Sequence, residues 1–469
     1  MQGARLQLAL QYTQSIGTVG KRVGNMASAA RVDTEALAAL DRVELGWRHK
    51  AIPADFHGLT ARALAAGGAR LGDFQTPLLA LGREELTANL NRLAAWCDAR
   101  GVLLAPHGKT TMAPQLWAEQ ISAGAWGISL ANSAQLRVAR HFGVSRVQVA
   151  NSLTDPLAIR WLAATQGPEF EVISWVDSVQ TVDLIERELA ASAALHPGQP
   201  PVFSVLVELG APGGRTGARG ADAALDVARA VRESTHLRLV GIAGYEGSLA
   251  HTADAAGLSA VRDYLADLGE LHARALAEDL YAPGVDLMVT AGGSAYFNDV
   301  VDVLSGVIHS GDGEAPRVDL VIRSGAYIVH DDGFYREISP FSRHADDGEP
   351  LASAMHAWAR VVSVPEPGLA LLDAGKRDLP VDEGLPEPQL IARRLGGTAV
   401  PLPGASISAV NDQHSFLRFD PAATAVNIGD VVRLGLSHPC TAFDKWTLIP
   451  VFSGDARNPS LESLVHTFF

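Results

Sequence analysis

From Thr76 onward the chain alternates short apolar runs with longer amphipathic stretches. The apolar runs fall at 101–105, 127–130, 146–150, 171–176, 202–209, 238–244 and 285–291. Each is shorter than a typical helix and reads as a buried strand. Between them, 84–100, 114–123, 133–141, 156–165, 178–191, 221–233 and 256–277 carry helical spacing. Pro114 sits at a helix start, where its missing N–H removes no hydrogen bond. Strand, helix, strand at this cadence predicts a parallel sheet. About eight such units predict an α/β fold closed as a (β/α)8 barrel of TIM type. No Gly-x-Gly-x-x-Gly turn follows the first strand, which argues against a dinucleotide-binding fold. After about residue 330 the helical stretches stop, and β-type runs appear at 357–364, 369–373, 431–436 and 447–452 among frequent Pro and Gly. That texture predicts a second, mostly β domain.

Polar residues collect where the apolar runs end. Lys109, Asn132, Asn151, Asp177, Glu208, Tyr245 and Ser294 all follow their strands. In a barrel these ends meet on one rim, so residues distant in sequence share a site. Composition narrows what the site does. The chain has 469 residues, 47% of them hydrophobic, and a formal net charge of −14. That charge argues against a nucleic-acid or anionic-membrane partner. No apolar run is long enough to span a bilayer. Near the N-terminus Leu6, Leu8, Ala9 and Leu10 are interrupted by Gln7 and Gln11, without a small-residue cleavage site. The expectation is a non-cleaved extension and a cytoplasmic protein. Cys97, on the predicted helix 84–100, reads as core, and two cysteines cannot build a disulfide framework.

The run Pro106-His107-Gly108-Lys109-Thr110-Thr111-Met112-Ala113-Pro114 places a lysine on the loop between the first strand and its helix. It resembles the cofactor-lysine motif of the D-serine dehydratase and D-threonine aldolase family. These are fold-type III enzymes with an alanine racemase-like barrel and pyridoxal 5'-phosphate. The resemblance runs from about Trp47 to the C-terminus, with the motifs in the family's order. It implies that Lys109 carries the cofactor as a Schiff base and, once released by the substrate amine, serves as general base. His107 is a second-rank candidate beside it.

The segment Thr290-Ala291-Gly292-Gly293-Ser294 offers a close backbone approach and a hydroxyl after the seventh strand, where barrels hold phosphate. Tyr327, in Arg323-Ser324-Gly325-Ala326-Tyr327, matches a family tyrosine that reaches the phosphate, and Tyr245 is expected to line the cofactor. Arg215, within Gly210-Ala211-Pro212-Gly213-Gly214-Arg215-Thr216-Gly217, resembles the family arginine that faces the pyridine nitrogen. A permanently charged arginine there disfavours ring protonation and weakens the electron sink. A metal would then help the leaving group. His438 and Cys440, in His438-Pro439-Cys440-Thr441-Ala442-Phe443-Asp444, match the family's metal motif, and imidazole with thiolate favours zinc. His414, in Asn411-Asp412-Gln413-His414, is second-rank. Asp373-Ala374-Gly375-Lys376 reads as structural support.

These resemblances imply a zinc-assisted dehydratase of a β-hydroxy D-amino acid, giving a 2-oxo acid and ammonia. The alternatives are retro-aldol cleavage of the D-threonine type, giving glycine and an aldehyde, and a non-catalytic pyridoxal phosphate carrier. Family aldolases tend to carry aspartate where this chain has Cys440, which favours the dehydratase. The expected partners are a small D-amino acid and, as in the family, a second copy of the chain in a homodimer. The expected organisation is an N-terminal extension (1–45), a segment joining the β domain (46–75), the cofactor barrel (76–330) and a β domain with the metal site (331–469). The β domain is expected to take a partner strand from the segment before Thr76.

Overall fold

The apolar runs form eight parallel strands whose C-terminal ends share one rim. In the computed structural model they are Leu103–Leu104, Ile128–Leu130, Arg146–Ser152, Glu171–Val176, Phe203–Gly210, Leu237–Gly244, Leu287–Ala291 and Val318–Ile322. The structure describes residues 29–195, 201–311, 315–344, 348–455 and 457–469. Neighbours in sequence pair side by side, and the eighth strand returns to the first, with Val321 opposite Leu103. The first and second strands are joined by Trp126 N–H to Leu104 O at 2.7 Å and Ser129 N–H to Pro106 O at 2.9 Å. The ring therefore closes.

Side chains alternate across these strands. Leu103, Trp175, Leu206, Val240, Met288 and Val321 share the cluster that plugs the barrel interior. Val205 and Val207, on either side of Leu206, belong instead to the main core with residues of the surrounding helices. Several rim residues start the next helix. Asn132 Oδ1 accepts the Gln135 N–H at 3.0 Å, and Asp155 Oδ1 accepts the Leu157 N–H at 2.8 Å. Each satisfies an N–H that the first helical turn cannot.

The second domain is a ten-stranded sheet. Its central antiparallel pairs join Met355–Glu366 to Val431–Gly435 on one side and to Leu78–Gly82 on the other. Leu78–Gly82 also runs parallel to Leu448–Ser453. Two expectations shift here. The partner strand lies just after Thr76 rather than before it, and Leu78–Gly82 belongs to the β sheet rather than the barrel. The physical reason is its pairing on both edges, with Leu78 and Leu79 fully buried. The barrel side begins with the helix Arg83–Arg100, on which Cys97 is buried as core. Of the N-terminal extension, residues 1–28 lie outside the described residues, and Thr34–Leu40 is a short helix. Among the described residues no helix is long and apolar enough to cross a membrane.

Candidate active site

A cavity of about 310 Å³ opens at the C-terminal rim of the barrel, where the β domain meets it. Lys109, His107, Arg215 and Tyr245 line it, as do Gly293 and Ser294. From the β domain, His438 and Cys440 complete the wall. Residues from both domains thus line one chamber.

Lys109 sits in the short helical turn Gly108–Thr110. Burial and the nearby Arg215 and Arg323 depress its pKa, against an opposing pull from Cys440. His107, two residues earlier, is held neutral by burial and by Lys109, Arg323 and Arg215, and its Nδ1 is buried without a partner. The Arg215 turn is built by its neighbours: Asp177 accepts the Gly217 N–H at 3.1 Å, and Thr216 donates to Glu208 at 2.9 Å. Gly217 has φ +99°, and a Cβ there would lie 2.4 Å from Gly210 N, so the turn requires glycine. The Arg215 guanidinium then stacks over the Tyr245 ring at 4.5 Å, a cation–π contact that fixes both side chains.

The phosphate expectation changes in detail. The N–H groups of Gly292 and Gly293 are both taken by the fully buried carboxylate of Glu246, at 2.9 Å each. The donors remaining at this end are Ser294, whose Oγ already accepts the Ala326 N–H at 3.1 Å, and the Gly325 backbone. Gly325 lines the cavity, and a Cβ there would lie 2.6 Å from His107 O. Tyr327 does not reach the site. Its side chain bonds Gln120 and borders a separate small cavity against the helix Arg83–Arg100, because the turn Ala326–Ile328 points it outward. His414 is exposed in the hairpin between Ser406–Val410 and Ser415–Arg418, outside the cavity.

Arg323, which the sequence pattern does not single out from the tyrosine motif, is the most buried cation lining the cavity. It is 1% exposed, donates to Thr290 Oγ1 at 2.7 Å and Gly244 O at 2.6 Å, and lies 4.9 Å over Trp175. Its Nε and the Trp175 Nε1 are buried N–H groups without partners. Its signal was its position, the first residue after the eighth strand. Three cations, unmet N–H donors and a glycine floor fit an anionic, planar cofactor of pyridoxal phosphate's kind.

On the β-domain wall, His438 Nδ1 pairs with Asp382 Oδ2 at 2.5 Å, and Asp382 Oδ1 accepts from Thr441 at 2.6 Å. The Nδ1 pairing leaves Nε2 as the nitrogen available on the Cys440 side. Cys440 Sγ donates to Thr110 Oγ1 at 3.4 Å. Burial alone would lower the His438 pKa, but Cys440 and Asp382 outweigh it and raise it to about 9. Burial would raise the Cys440 thiol, but His438, Thr110 and Lys109 outweigh it and bring it down. Ligand atoms of Asp382, Glu383 and His438 also lie within 4.8 Å of one another. Cys440 is not in that close group; imidazole with thiolate, or imidazole with the two carboxylates, is a donor set that suits a divalent metal.

Comparison with known proteins agrees with this architecture, which is the alanine racemase-like one. Residues 354–452 match the family described as "Putative serine dehydratase domain". The chain is 26% identical to the D-threonine aldolase of Arthrobacter sp over 390 residues, covering 82% of this chain and 91% of that protein. It is 25% identical to the D-threo-3-hydroxyaspartate dehydratase of Delftia sp. (strain HT23) over 405 residues, 83% of this chain and 97% of that one. The crystal structure of D-threonine aldolase from Filomicrobium marinum superposes with a TM-score of 0.70 at 23% identity, covering 85% of this chain and 97% of that chain. A D-threo-3-hydroxyaspartate dehydratase variant has also been solved in a metal-free form.

Proposed function

We propose that this chain is a pyridoxal phosphate-dependent lyase that dehydrates and deaminates a β-hydroxy D-amino acid, with D-serine as the first candidate. The observation that carries the reading is one cavity lined by Lys109, two arginines and the His438–Cys440 pair. The relatives, an aldolase and a dehydratase of D-amino acids, support the class and the D configuration.

Lys109 Nζ is the attachment point, with Ser294 and Gly325 as candidate holders of the phosphate and the arginines flanking the ring. Bound there, pyridoxal phosphate supplies an electron sink for the pair left when the substrate Cα–H bond breaks. Lys109, its pKa depressed by burial and the two arginines, is the base that takes this proton. Tyr245 and Arg215 stack to shape the wall, and His107 stays a neutral acceptor beside the lysine. Zinc on His438 and Cys440 would polarise the β-hydroxyl, with Asp382 orienting the imidazole.

Two substitutions test the supporting residues. Arg215→Ala should retain the cofactor's visible absorption while slowing turnover by about 10²-fold, since the guanidinium acts by preorganised charge. Unchanged kinetics in a folded variant would make Arg215 a plain loop residue. Asp382→Asn should weaken metal affinity by about 10- to 100-fold, read by competition with a chromogenic chelator, because the carboxylate orients the ligating histidine. Unaltered affinity would remove Asp382 from the site.

The second reading, retro-aldol cleavage, is favoured by the similarity to D-threonine aldolase. Cys440 in the metal pair favours dehydration. Incubation with D-serine, D-threonine and 3-hydroxy-D-aspartate separates the two. Release of 2-oxo acid and ammonia supports the dehydratase, and glycine with an aldehyde replaces it with the aldolase.

A further inference from the structure

We propose that Tyr335 is a second catalytic residue, whose phenol gives its proton to the departing β-oxygen of the substrate. The inference rests on the dehydratase reading above.

Tyr335 lies on the short helix Phe334–Ile338, which follows the barrel, and its side chain lines the same cavity as Lys109, His438 and Cys440. Among the charged groups acting on it, Cys440 is foremost, with Tyr245, Asp331 and Glu383 behind. The geometry agrees in that Tyr335, His438 and Cys440 line the same cavity. Of the neighbouring hydroxyls, Thr441 spends its proton on Asp382 at 2.6 Å, and Thr110 accepts from Cys440 at 3.4 Å. No hydrogen bond of the Tyr335 hydroxyl occurs among the described residues. An ordinary phenol, with a pKa of about 10, keeps its proton at neutral pH and so meets the cavity as a donor.

Its placement is built. Asp331 is 1% exposed, and its Oδ1 accepts the N–H groups of Gly333 at 3.0 Å and Tyr335 at 2.9 Å. The other oxygen, Oδ2, accepts the His438 N–H at 2.9 Å. One carboxylate thus ties the backbone at Tyr335 to the backbone at His438. His438 itself has φ +59°, a left-handed conformation that a non-glycine residue keeps only when its surroundings fix it.

The step balances. Lys109 takes the α-proton, and the Cα–H electron pair becomes the second bond between Cα and Cβ. The Cβ–O bond breaks with its pair on oxygen. That oxygen takes the Tyr335 proton and leaves as water. The phenolate regains a proton from the Lys109 ammonium, so the net loss is one water and both residues end as they began.

The experiment uses the cofactor- and zinc-loaded protein and Tyr335→Phe, which keeps the ring. Turnover of D-serine should fall about 10²-fold, while 3-chloro-D-alanine, whose chloride leaves without a proton, should change by less than about threefold. Visible absorption and bound zinc should match wild type. A binding readout needs no turnover. α-Methyl-D-serine has the hydroxyl but no α-proton, and its affinity should fall about three- to tenfold in the variant, as expected for one lost hydrogen bond. 2-Aminoisobutyrate, which lacks the hydroxyl, should bind both proteins alike. If D-serine turnover is unchanged, or both substrates lose equally, the inference is wrong and the dehydratase reading stands. If wild type releases glycine from its substrates instead of 2-oxo acid, the dehydratase reading fails and the inference with it.

Discussion

Lys109→Ala loses the covalent link to pyridoxal phosphate and at least about 10³-fold in turnover, because one side chain supplies both the attachment point and the general base. The fold should survive the change. Lys109 lies on the short turn Gly108–Thr110 and lines a cavity rather than the packed core. Circular dichroism should therefore match wild type while the yellow colour disappears on dialysis. The residual cavity still offers Arg215, Arg323 and Ser294, so the variant should bind the cofactor weakly and reversibly. A variant that keeps a borohydride-reducible link would place the cofactor on another lysine.

Removal of metal has the second largest effect. Strong chelation should cut D-serine dehydration by about 10³-fold, the scale of several kcal/mol of Lewis-acid stabilisation. It should leave the visible cofactor absorption intact, because His438 and Cys440 lie on the β-domain wall and Lys109 on the barrel wall. Added zinc should restore activity. A β-chloro D-amino acid should depend less on the metal, since chloride departs without help. Cys440→Asp should shift the preference toward manganese or magnesium, which suit a carboxylate better than a thiolate. A fully active preparation that contains no stoichiometric metal and ignores chelators would contradict this part of the account.

Much of the site was legible because barrels gather strand ends. The positions after the first, fifth, sixth and seventh strands gave Lys109, Arg215, Tyr245 and Ser294, all of which line the cavity. What pattern could not give was the direction of side chains in irregular turns. Tyr327 and Ala326 are neighbours in one short helical turn, yet only Ala326 faces the cavity. Nor could spacing reveal that Glu246 occupies the Gly292 and Gly293 N–H groups, because that contact joins the loops after two different strands. Tyr335 and Asp331 follow the last barrel strand, where no periodicity survives to place them. The strand Leu78–Gly82 reads the same in sequence whichever sheet it joins. Its membership is decided by Trp358 opposite Leu78 and Val451 opposite Leu81, partners far along the chain.

The central claim is that Lys109 carries pyridoxal phosphate. The direct measurement is borohydride reduction of the purified, cofactor-loaded protein, followed by proteolysis and mass mapping of the phosphopyridoxyl peptide. The account predicts one modified peptide, containing Lys109 within Pro106-His107-Gly108-Lys109-Thr110. Modification at Lys21, Lys50, Lys376 or Lys445 instead, or no incorporation in a folded protein, would contradict it.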